Sequence, residues 1–154
     1  MYKILSWIAV VLWMALIFYL SHQPATISNE LSSGITEMIV NALEKLASSF
    51  QFDIGDLHHI VRKNAHFFAY LTLGILVLNS LRRSGIYGMQ SAGIAFLICV
   101  LYAITDEVHQ LFITGRSGEV TDVLIDSAGA GMGIIVYLII SRLIGWYRNR
   151  RTVD

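Results

Sequence analysis

The chain has 154 residues, of which 55% are hydrophobic and 14% charged, with a formal net charge of zero. An average soluble domain carries roughly 25% charged residues, so the composition argues against one, and the zero net charge removes any bulk electrostatic case for nucleic acid. A single cysteine, Cys99, excludes an internal disulfide and a multi-cysteine zinc site.

Four stretches have the roughly 17–25 apolar residues that a helix needs to cross a bilayer core. The first runs from Ile4 to Leu20. Lys3 and this run also fit the front of a signal peptide, but Ser21-His22-Gln23-Pro24-Ala25 is a poor small-residue cleavage site, so a retained helix is expected. A polar segment follows, residues 21–59. Within it Ile27, Leu31, Ile35, Met38, Ile39, Ala42, Leu43, Leu46 and Phe50 recur at helical spacing, and Ser28 or Asn29 is placed to cap the start. This predicts an amphipathic helix on the membrane surface or across the mouth of the bundle, as a lid or as a packed connector.

The second membrane stretch is Ile60–Leu81, polar only in its first two turns, where Arg62, Lys63, Asn64 and His66 stand. The third is Ala92–Ile113, polar only near its end, where Asp106, Glu107, His109 and Gln110 stand. The fourth spans residues 120–144 and begins with Thr121, Asp122 and Asp126. Cys99 falls within an apolar run and is expected in the core. Gly129 and Gly133 form a GxxxG pair suited to close helix packing in lipid. Trp7, Tyr19, Trp146 and Tyr147 sit near segment ends like an aromatic belt, with Trp13 the exception. The fold class is therefore all-α: one polytopic membrane domain over residues 1–154, with four transmembrane helices plus an amphipathic extracytoplasmic helix.

Basic residues set the orientation. Lys3, then Arg82 and Arg83, then Arg142, Arg148, Arg150 and Arg151 fall on one side if the chain crosses four times. That side is read as the cytoplasm, with both termini there. All three polar clusters then lie at the outer ends of their helices. Within each helix the spacing shares a face: Arg62, His66 and Tyr70; Asp106, His109 and Gln110; Asp122 and Asp126. His66 and Asp126 lie roughly 6 Å below the first polar residue of their helices, where an unpaired charge costs about 2.5–3.5 kcal/mol or more. Such groups should face one another or a watery pocket, with Arg116 in the Gly115-containing loop reaching back over it.

Three chemistries fit this constellation. One is a structural ion-pair network of Arg62, Lys63 and Arg116 with Asp106, Glu107, Asp122 and Asp126. Another is a mixed nitrogen and oxygen metal shell from His66, Asp106, His109 and Asp126. The last is general-base chemistry by His66 or His109, oriented by Asp106, with Arg62 and Arg116 holding an anion such as phosphate. A proton-coupled transporter ranks below these, because the inner helix halves lack ionisable groups.

The segments RKNAHFFAYLTLG and ITDEVHQLFITGRSGEVTDVLIDSAGAGMG resemble the VanZ-like family of bacterial membrane proteins. The residues that carry the resemblance are Arg62, Lys63, His66, Tyr70 and Gly74; Asp106, Glu107, His109, Gln110 and Phe112; Gly115 and Arg116; Asp122, Asp126 and Gly129. Ser21-His22-Gln23-Pro24 is similar to the family's S-x-Q-P, and Thr114 replaces a loop proline. The resemblance covers nearly the whole chain. It implies a multi-pass protein of the bacterial cell membrane, in a family whose founding member is associated with resistance to teicoplanin, a lipid-bearing glycopeptide antibiotic. The expected function is cell-envelope defence. The pocket would bind or modify a membrane lipid, a lipid-linked wall precursor or the antibiotic. His66, Asp106, Glu107, His109 and Asp126 are the candidate working groups; Lys63, Tyr70, Gln110, Asp122, Arg62 and Arg116 are the candidate binding groups. The residues fit a binding pocket and a catalytic one alike.

Overall fold

A computed structural model describes residues 2–24, 54–116 and 118–151, with the side chains of 54–62 and 147–151 left aside. The expected amphipathic helix over residues 27–50 lies outside the described residues. Among the described residues four helices follow in chain order: α1 (Tyr2–Ser21), α2 (Ile54–Arg83), α3 (Gly88–Gln110) and α4 (Val120–Arg151). All four contain a stretch long and apolar enough to cross a membrane. Large apolar residues point outward on every face, among them Leu5, Leu12, Leu97, Leu101, Ile135 and Ile139. A surface this apolar suits hydrocarbon and not water.

Helix boundaries differ from the apolar runs. α2 starts six residues before Ile60, and α4 continues past residue 144. Hydrophobicity measures the bilayer crossing, whereas helical hydrogen bonding continues through polar residues beyond it. The third helix is shifted the other way, to 88–110 in place of 92–113. Leu111 caps its end, and Phe112 and Ile113 close turns on His109 and Gln110 before Gly115 reverses the chain at φ 78°.

Contacts along the helices fix their directions. Trp7 Nε1 donates to Ser84 Oγ at 3.0 Å, and Trp13 Nε1 to the Ala69 carbonyl at 2.9 Å, so α1 and α2 run antiparallel. That second bond explains why Trp13 departs from the belt pattern: its indole N–H has a partner inside the bundle. Tyr102 Oη donates to the Met14 carbonyl at 2.6 Å and ties α3 alongside α1. α2 and α4 share the most extensive interface and run parallel. Phe67 meets Gly129, Leu71 meets Gly133 and Gly74 meets Ala130, each so closely that an added Cβ would strike a backbone carbonyl. The GxxxG pair thus packs helices, as its spacing predicts.

The core between the helices holds Val10, Ile17, Tyr70, Leu73, Val77, Leu78, Ala95, Cys99 and Ala103. Cys99 is buried and free, as expected. On α3 the stripe Ala92, Ala95, Cys99, Ala103 continues directly into buried Asp106, Glu107 and Gln110. The same inward face is apolar through the middle and ionisable at one end.

Candidate functional site

The site occupies the end of the bundle where α1 and α3 finish and α2 and α4 begin. Asp106 and Asp126 are each 2% exposed, and Glu107 and Gln110 are nearly as buried. His66 comes from the first turns of the α2 membrane span and Asp126 from the second turn of α4, beside the Phe67–Gly129 approach. That glycine contact lets the two helices come close enough for their polar side chains to meet.

His66 Nδ1 lies 3.6 Å from Asp126 Oδ2, longer than a hydrogen bond. One atom each from His66, Asp106 and Asp126 fall within 4.8 Å of one another. Asp106 Oδ2 accepts a 2.7 Å hydrogen bond from Ser21 Oγ at the end of α1. The other oxygens, Asp106 Oδ1 and Asp126 Oδ1, are buried with no protein partner, and so is the Tyr70 hydroxyl. A narrow cleft lined by Lys63, His66, Gln110, Asp122, Ile125 and Asp126 leads to this cluster and has room for about one water.

Around the cleft the remaining charges are tied into the scaffold. Lys63 Nζ donates to Glu119 Oε2 at 3.1 Å and lies 3.0 Å from Asp122 Oδ1. Glu107 Oε1 accepts the Glu119 backbone N–H at 2.6 Å and so fastens the loop to α3. Arg116 donates to the Gln23 carbonyl at 2.9 Å, the Leu20 carbonyl at 3.2 Å and Gln110 Oε1 at 3.1 Å. It thus joins the loop to the carbonyls at the end of α1 and touches the cleft through Gln110.

His109 takes a different place. Its Nε2 lies 3.0 Å from His22 Nδ1, and its ring stacks on Phe18 with centroids 4.5 Å apart. The structure therefore separates His109 from the possible metal shell that spacing had grouped it with. His66, Asp106, Asp126, Gln110, Lys63 and Asp122 are brought together. Tyr70 lies one turn deeper on α2, and Glu107 and Arg116 serve the loop. The Arg62 side chain falls outside the described set.

Sequence reasoning missed Ser21 and His22. Both sit where the apolar run of α1 stops, and the signal for them was the S-x-Q-P resemblance over Ser21–Pro24. The side chains of His58 and His59 lie outside the described set.

No curated protein and no solved structure matches the chain. A family model described as VanZ/LLP1 matches residues 6–141, which takes in most of each of the four helices and every residue of the cleft. The matched span covers most of the sequence, and with the four membrane-length helices it identifies the chain as a member of the VanZ/LLP1 family of membrane proteins.

Proposed function

We propose that the protein is a bacterial cell-envelope component whose polar cleft faces outward and engages an envelope lipid, a lipid-linked wall precursor or a lipoglycopeptide, lowering susceptibility to teicoplanin. The observation that carries this reading is the convergence of His66, Asp106 and Asp126 from three helices onto a cleft, with carboxylate oxygens that no protein group satisfies. Helix association alone does not call for buried ionisable groups left open in this way. Outward orientation follows from Lys3, Arg82, Arg83 and Arg142 at the opposite end of the bundle. Among the described side chains Lys63 is a cation lining the cleft, and an anionic headgroup or phosphate would compete with Glu119 and Asp122 for it.

The test is susceptibility to teicoplanin and to vancomycin in a sensitive host that carries the wild-type chain, Asp106→Asn, Asp126→Asn or an empty vector, at matched membrane levels. Several-fold protection against teicoplanin by the wild type, lost in both variants, is the expected result. Absence of protection by the wild type defeats the resistance reading.

A second reading is a purely structural network, and the two-acid grip on Lys63 favours it. It expects Asp106→Asn to lower yield and melting temperature and to leave any protection per folded molecule intact.

A further inference from the structure

We propose that His66, Asp106 and Asp126 bind one divalent transition-metal ion, with zinc the best fit to the donor set. The inference rests on the proposed cleft as a working site and names what that site holds.

Three observations carry it. The first is geometric. Two ligands of one ion at about 2.1 Å lie roughly 3.0–3.5 Å apart at tetrahedral or octahedral angles. The His66 and Asp126 atoms are 3.6 Å apart, and the widest pair in the triad is within 4.8 Å. An ion would draw a pair at 4.8 Å in by about 1.3–1.8 Å.

The second observation is the state of the oxygens. Asp106 Oδ1 and Asp126 Oδ1 are buried and unpartnered, on side chains 2% exposed. The Tyr70 hydroxyl, one turn below His66 and fully buried, also has no hydrogen-bond partner among the described residues. Buried polar groups in folded proteins have partners as a rule, and a divalent cation would supply one to both carboxylates. A metal would take one oxygen from each carboxylate, and Tyr70 would meet the bound water or a ligating carboxylate.

The third observation is support around the ligands. Ser21 Oγ holds Asp106 Oδ2 at 2.7 Å and leaves Oδ1 free to ligate, the outer-shell arrangement that orients metal carboxylates. Charge agrees: two carboxylates and a divalent ion sum to zero inside a membrane layer, which neutral His66 alone does not achieve. One imidazole with two carboxylates selects zinc, manganese or iron over calcium and magnesium. Three protein ligands leave a coordination position toward the cleft, as in catalytic and not structural sites.

The test uses the full chain, purified in detergent, stripped with chelator and re-equilibrated with Zn²⁺, Mn²⁺, Mg²⁺ or Ca²⁺. Metal per chain is read by mass spectrometry after gel filtration, beside the melting temperature with and without metal. The expected result is about one Zn²⁺ per wild-type chain and a higher melting temperature with metal. Asp126→Asn should lose both effects, and His109→Ala should keep both, because the exposed His22–His109 pair is outside the triad. Should Asp126→Asn fail to fold, His66→Phe carries the same readout. Zinc retained by folded triad variants, binding lost with His109→Ala, binding of only Mg²⁺ or Ca²⁺, or no metal on the wild type would each overturn the site. One zinc held through the triad by a chain that gives no teicoplanin protection leaves the metal site standing and removes only the resistance reading.

Discussion

Ser21 holds Asp106 across 85 residues of sequence through one fully buried hydrogen bond. Removing it in Ser21→Ala takes a donor from buried Asp106, a loss of about 1–3 kcal/mol for a buried group. A lower melting temperature in detergent, with helix content preserved at low temperature, is the expected outcome; an unchanged melting temperature would show that the bond contributes nothing. Little in the sequence singles out this serine, an ordinary residue at the end of an apolar run whose partner is known only once α1 and α3 are side by side. Asp106 and His66, by contrast, were legible, because ionisable residues within membrane-length runs are costly anywhere but in the interior. His109 shows the limit of spacing arguments. Three residues along a helix is about 300° of rotation, so a side chain there sits about 60° off the face of Asp106. On α3 that offset turns His109 from the α2–α4 side toward Phe18 and His22 of α1.

At the scale of elements, the parallel α2–α4 pair sets the width of the cleft. A methyl group at Gly133 would meet the Leu71 carbonyl, which as backbone cannot move aside without moving the helix. Gly133→Ala is expected to destabilise the bundle by about 1–3 kcal/mol. Gly131, two residues away, faces only the Phe96 ring at 3.5 Å, ordinary contact distance, so Gly131→Ala should be neutral or slightly stabilising. Thermal unfolding of the two variants side by side checks the assignment, and equal losses would refute it. The GxxxG spacing announced a close packing in advance. It did not name α2 as the partner, since Gly74, which completes the contact, lies in a segment with no such repeat. Helix ends were legible only to within several residues because apolar content marks the bilayer and not the last hydrogen bond.

For the whole molecule, the proposed orientation has a direct check. The native thiol is buried and silent, so a single introduced cysteine reports its own side of the membrane. Thr114→Cys lies in the exposed loop at the cleft end, and Met89→Cys is 82% exposed at the opposite end. A membrane-impermeant maleimide should modify Thr114→Cys on intact cells and reach Met89→Cys only after lysis; the reverse pattern would turn the cleft toward the cytoplasm. The long reach of the polar contacts also bears on how the protein is made. Sixty residues separate His66 from Asp126, about 3–12 s of synthesis at roughly 5–20 residues/s. Through that interval α2 has left the ribosome with His66 in its membrane span and Asp126 not yet made. Ser21 waits longer still for Asp106. Until α4 arrives, His66 carries the cost of a polar group in the membrane layer that the finished bundle offsets.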